Sequence, residues 1–258
     1  MRKFRIYMIT MMMCMAFLSG CGKASENNLS QVSGENKAES EGSKSVGGAS
    51  VFTVSNSSGV EQKELEIAES GYVESSSIGD TTYLYAYAKV YNPNDSLMAE
   101  YPKLTATVKN QEGVILATDY HTGGYIMPKD TIVMVESIGV TNYTDDCKID
   151  INVSTDFTNV KNSVIKENST SKDFAFTNVS EITEKYNNKI TGEIINNFTQ
   201  NVDCVLLTVM LRKNEEIVYI DTTFVDDLQM GQNTAFEYDY YSKNWPDHDS
   251  IELSAQQW

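Results

Sequence analysis

Basic residues are scarce in this chain of 258 residues: 20 Lys and Arg stand against 36 Asp and Glu, a formal net charge of −16. Arg2, Lys3 and Arg5 fall in the first segment, so the rest is more acidic still and keeps Arg212 as its only arginine. Nucleic-acid binding needs Lys and Arg to neutralise phosphates, so that function is excluded. Four prolines and fifteen glycines exclude collagen-like and Pro-rich filaments. There are only two histidines, His121 and His248, and no Gly-x-Ser-x-Gly elbow, Gly-rich phosphate loop or His-Glu-x-x-His helix. The sequence therefore points to no catalytic set, no cofactor and no metal, and the chain is read as a non-enzyme. What is present is a folding composition, 41% hydrophobic and 22% charged, enough for one large domain or two of ordinary size.

The first residues give an address. Arg2, Lys3 and Arg5 precede an almost wholly apolar run, Ile6 to Leu18, which is too short for the roughly 20 residues of a membrane-spanning helix. Leu18-Ser19-Gly20-Cys21 closes the segment in the manner of a secretory signal. This tetrad resembles a bacterial lipobox. The resemblance implies a lipoprotein signal peptide over 1–20, cleavage before Cys21, and a diacylglycerol thioether on the Cys21 sulfur. Two acyl chains matter because one alone holds a protein to a bilayer only marginally. Residues 21–60 then read as the lipidated cysteine and a tether: Gly22 to Ser50 is dominated by Ser, Gly, Asn, Glu and Lys. Such a stretch buries too little apolar area to offset its ordering entropy, and as a flexible coil it reaches about 30 Å. The expected location is the extracytoplasmic face of the cell membrane. Of the four cysteines only Cys147 and Cys204 then remain, one in each half, and their pairing is left open.

From Phe52 onward the chain is a run of short β-type segments bounded by turn formers, such as Tyr83–Tyr91 ending in Asn92-Pro93-Asn94. The pattern recurs. Lys89-Val90-Tyr91-Asn92 matches Glu193-Ile194-Ile195-Asn196, Met127–Thr131 matches Met230–Thr234, and Ile149-Asp150-Ile151 matches Ile251-Glu252-Leu253, at offsets falling from 104 to 102. A period this long marks a duplicated domain, not a solenoid repeat. The expected fold is all-β: two tandem antiparallel β-sandwiches of immunoglobulin-like type at 61–155 and 172–258, joined by a linker at 156–171. A single closed barrel built from both copies is the alternative. The first copy carries an extra segment, Ser75–Asp80, read as a turn.

The order Ile190–Asn197, a hairpin at Asn214-Glu215-Glu216, then Met230-Gly231-Gln232-Asn233-Thr234-Ala235-Phe236 resembles the FxLYD and DUF4352-type immunoglobulin-like domains of bacterial lipoproteins. The likeness covers both copies but breaks at different points: Pro128-Lys129 faces Gly231-Gln232, and Glu216 replaces Gly113. It implies a non-catalytic extracytoplasmic module and names no ligand.

The candidate ligand face is aromatic. On Tyr83–Tyr91 the repeat separates two faces: Ala86, Ala88 and Val90 match the apolar set Ile190, Gly192 and Ile194, while Tyr87, Lys89 and Tyr91 match Thr191, Glu193 and Ile195. Tyr83, Tyr85, Tyr87 and Tyr91 would thus line an outer face able to hold a sugar ring or an envelope protein. Packing within the sheet, or cover by the second copy, is the competing reading. A second aromatic group, Tyr238, Tyr240, Tyr241 and Trp245, is treated the same way, with Phe236 and Tyr238 assigned to the core through alignment with Val133 and Val135. Asp247-His248-Asp249 would bind a cation only if a loop let all three converge; otherwise it is a solvated acidic turn. His121 is read as a loop residue. These observations support a lipid-anchored binding or scaffold module, with a carbohydrate-binding lipoprotein as alternative and an envelope hydrolase as a third reading.

Overall fold

The computed structural model describes residues 61–160, 168–183, 188–240 and 245–258. The segments expected to be signal peptide (1–20) and lipidated tether (21–60, with Cys21), together with Tyr241 and part of the expected linker, lie outside these residues. The described residues belong to one compact unit and are all-β apart from short 3₁₀ turns, one of them at Ser171–Asp173. Among them no helix is long and apolar enough to cross a membrane.

The first half holds β1 (Glu66–Ile78), β2 (Thr81–Tyr91), β3 (Leu97–Lys109), β4 (Ile115–Thr122), β5 (Tyr125–Ile126), β6 (Thr131–Thr141) and β7 (Lys148–Asn159). The second holds β8 (Phe174–Thr183), β9 (Asn188–Asn196), β10 (Val202–Lys213), β11 (Glu216–Leu228), β12 (Asn233–Tyr240) and β13 (Ser250–Gln257). One sheet runs β1-β2-β6, and its partner is β4-β3-β5 with β7 also on β3; the second half repeats this as β8-β9-β12 and β11-β10-β13, with no counterpart of the two-residue β5 among the described residues. All pairs are antiparallel. The halves are thus copies of one two-sheet sandwich, and no barrel closes across them. Ser75–Ile78 belongs to β1, so the first copy's extra segment lengthens a hairpin whose turn is Gly79-Asp80. The linker is shorter than its composition suggests, because β7 continues to Asn159.

Alternation builds each core. In β2 the residues Leu84, Ala86, Ala88 and Val90 are fully buried, as are Ile190 and Ile194 in β9. They meet Leu104 and Val108 of β3, or Val205, Leu207, Val209 and Leu211 of β10. Gly192 is required by packing: a Cβ there would lie 2.7 Å from Cζ of Phe236. That register pairs Phe236 with Gly192 and Met134 with Ala88. Phe236 is therefore the counterpart of Met134, not of Val133, and the strand following the Pro128 turn aligns one residue away from the sequence match. Phe236 and Tyr238 are core residues all the same.

A buried asparagine anchors each copy at the same corner. Asn92 Nδ2 donates to the carbonyls of Leu97 (2.8 Å) and Ile126 (2.9 Å), and its Oδ1 accepts from Asn94 N. Asn196 Nδ2 donates to Gln200 O (2.9 Å) and Leu228 O (3.0 Å), and its Oδ1 accepts from Phe198 N. Their main chains take matching bonds from Lys129 N and Gly231 N, residues with φ of 60° and 68°. This is the strand-terminal Asn of the sequence repeat, and it satisfies carbonyls where strands leave the ladder. The Asn214-Glu215 hairpin turn has φ of 49° and 72°, the two positive values of a two-residue I′ turn, whereas the first copy uses a longer loop with Gly113 at φ 81°.

A second matched pair is asymmetric. In the second copy Tyr238 donates to Asp221 (2.7 Å); register places Glu136 and Asp119 at the same positions in the first. Burial, then the Asp119 charge, pushes the Glu136 carboxyl above its ordinary value. A raised carboxyl contributes stability that is present at low pH and lost as pH rises through its folded value. Glu136→Gln should therefore raise the melting temperature at pH 7 and lose that advantage below about pH 4.3, where the unfolded carboxyl is also protonated; thermal melts across pH check the sign. Asn92→Ala and Asn196→Ala should each cost about 2 kcal/mol or more in urea unfolding, because buried carbonyls lose their donors.

Candidate functional site

The outer face of β1-β2-β6 is where the four tyrosines were expected to meet solvent. It instead packs on the outer face of β11-β10-β13. Val73, Tyr87 and Val133 from the first copy form one apolar cluster with Met210, Ile217 and Ile220 from the second, flanked by Tyr85 and Val135. Tyr87 is only 7% exposed and lies over Gly71, where a Cβ would come within 2.7 Å of its hydroxyl oxygen. Tyr85 and Tyr91 are half-buried, and Tyr83 is the most open of the four at 36%. Burial raises the phenol of Tyr85, helped by the Asp221 charge, and that of Tyr87, helped by Glu69. The expectation of a continuous exposed row is thus corrected: one tyrosine is covered by the second copy, and its neighbour packs beside it. Tyr87 and Tyr85 fill a seam between two sheets, where Tyr offers large area.

An ion-pair chain borders that seam. Lys89 Nζ lies 2.9 Å from Glu252 Oε1; Arg212 Nε lies 2.6 Å from Glu252 Oε2. The same guanidinium grips Glu69 with Nη1 at 3.0 Å and Nη2 at 2.7 Å, a two-pronged contact. Burial pushes the Glu252 carboxyl up, but Lys89 and Arg212 outweigh it and hold the group below its ordinary value. Its contribution is present at neutral pH and lost as pH falls below about 4.5. The first copy has the pair Lys109–Asp150 (2.5 Å) at the matching place, on an open surface. Arg212 could have been suspected from sequence, being the one arginine outside the first segment. Its partners are far away in the chain and left no sequence signal.

The connection between copies is clamped as well. Asp130, nearly fully buried, accepts from Ser171 N (2.9 Å) and Ser171 Oγ (2.6 Å). Tyr125 Oη and Ser169 Oγ both donate to Gln257 Oε1 at 3.0 Å. Burial pushes the Tyr125 phenol up to about 12.

The remaining sequence candidates disperse. Tyr238, Tyr240 and Trp245 belong to the second core, with Trp245 stacked on Tyr240 at 4.4 Å between ring centroids. Tyr219 and Tyr238 share a hydroxyl–hydroxyl contact beside Asp221. His121 lies on β4, not in a loop; its Nε2 is buried without a partner, its ring is 5.9 Å from Trp258, and burial lowers its pKa. His248 contacts Pro246 O (2.8 Å) and Glu181 (3.2 Å), while Asp247 faces Lys213 and Asp249 accepts from Asn214 N. The three neighbours therefore diverge, and no group of metal-ligating side chains occurs among the described residues. Cys147 and Cys204 are free thiols; burial, and then Asp226, pushes Cys204 up to about 11, so it is protonated at neutral pH. Phe224 and Trp258, which sequence reasoning did not single out, meet edge-to-face at 5.5 Å and are 53% and 54% exposed. A scan against models of known protein families gives no match, and a search of curated proteins gives none.

Burial separates the tyrosines by experiment. Tyr87→Ala should cost about 3 kcal/mol in urea unfolding, in the range of buried large-to-small changes, whereas Tyr83→Ala should cost well under half of that.

Proposed function

We propose that the chain is a lipid-anchored, non-catalytic binding or scaffold module of the bacterial cell envelope, held by Cys21 and carrying two immunoglobulin-like domains of FxLYD type. The lipobox and the polar tether support the anchor. The observation that carries the scaffold reading is the seam: apolar packing, a bidentate arginine and a clamped connection join both copies into a single body. A body of that kind, on a tether of about 30 Å, offers a partner a fixed surface at a distance from the headgroups. A glycan-binding reading draws support from the exposed Phe224–Trp258 pair, since bare aromatic rings stack on sugar faces, and no longer from the tyrosine row.

The experiment is expression of the chain and its Cys21→Ala variant in a bacterial host with a fatty-acid label. The parent should label and sediment with membranes, and the variant should do neither. A parent that stays unlabelled and soluble would sink the anchor. Crosslinking in the same cells then tests the module: envelope proteins captured by the parent support the scaffold. Peptidoglycan retention lost on Phe224→Ala with Trp258→Ala supports the glycan reading instead.

A further inference from the structure

A cleft of about 270 Å³ opens beside the seam, lined from the first copy by Lys89, Thr131 and Val133 and from the second by Phe176, Glu252 and Ser254, among others. It lies at the junction of two packed units, where ligand sites concentrate, and below the roughly 300–1,000 Å³ usual for drug-sized ligands. One small molecule would fill it. Its chemistry is mixed in an ordered way. Lys89 has three N–H donors and makes one bond, to Glu252 Oε1. Each Glu252 oxygen accepts one bond, from Lys89 or from Arg212, and has room for another. The hydroxyls of Thr131 and Ser254 make no side-chain hydrogen bond among the described residues, although both line the cleft. Val133 and Phe176 supply apolar wall.

We infer that this cleft is a binding site for a small zwitterion with an apolar tail, of the α-amino-acid class. The ligand carboxylate accepts from the spare Lys89 donors and the Thr131 and Ser254 hydroxyls. Its ammonium donates to Glu252, and its side chain lies on Phe176 and Val133. The Lys89–Glu252 pair stays intact, so binding removes no interaction from the seam. The site exists only where the copies meet, since neither contributes both the ammonium and the carboxylate. This goes beyond the scaffold reading and holds wherever the chain is anchored.

Isothermal titration of the full chain with L-leucine and L-phenylalanine tests it, with 4-methylpentanoate and isopentylamine as probes lacking one charge each. The expected result is saturable binding of at least one amino acid at millimolar affinity or tighter, and binding at least about tenfold weaker for both single-charge probes. Lys89→Met should abolish it. Ser254→Met, which fills the cleft and leaves every charge of the seam in place, should abolish it with the thermal melt retained. The inference is overturned by no saturable heat with either amino acid, by equal binding of 4-methylpentanoate, or by binding that survives Ser254→Met in the folded variant. None of these outcomes bears on Cys21, so failure here is distinguishable from failure of the anchor.

Discussion

Arg212 is the point on which the two sandwiches agree. Its guanidinium reaches Glu69 of the first copy with two nitrogens and Glu252 of the second with a third, at 2.6 to 3.0 Å. A charge with 15% of its side chain exposed is tolerable only when both flanking carboxylates remain in place. The apolar cluster around Tyr87 and Met210 supplies contact area without direction, as hydrophobic burial does. The guanidinium adds direction, because planar bidentate recognition is satisfied in one relative placement. Buried area and a geometric key therefore act on the same seam, and the clamp of Asp130 on Ser171 holds the connecting chain beside it.

Within each sandwich the corresponding constraint is the buried asparagine. A strand that leaves its ladder inside a protein strands carbonyls and amides, and Asn92 and Asn196 answer with one amide group bonded to main-chain atoms of two separate segments. This explains why the Asn survives in both copies while the surrounding turn differs: Lys129 in one and Gly231 in the other hold the same positive φ. The side-chain geometry is fixed by the corner, and the turn only has to reach it.

The fold class was legible because period-2 alternation and turn residues are local signals, and duplication supplied a second reading of each strand. The limit was register. A one-residue slip in aligning the Pro128 turn with Gly231 put Phe236 opposite Val133, and with a side-chain period of two that exchanges faces. Val133 then looked like sandwich core, whereas it packs in the seam and Met134 is the true counterpart. The tyrosine row failed for a related reason. Sequence shows which residues share a face, and it does not show that a second sheet covers that face. The cleft and the Arg212 network join residues more than a hundred positions apart, so no spacing rule could have announced them.

The seam joins unlike faces, sheet one of the first copy to sheet two of the second. A duplicated unit bearing both faces in every copy would keep adding copies, since a head-to-tail contact that does not close propagates into a fibre. Here the outward ends have been changed. Where the first copy has Tyr87, Val133 and Val135, the second has Thr191, Ala235 and Glu237; where the second has Met210 and Ile220, the first has Thr107 and Thr118. Lys189 even ties down Glu237 at 3.0 Å on the open side. Divergence between the copies thus takes the apolar residues of the seam off both outward faces: neither face repeats the surface through which the two copies dock.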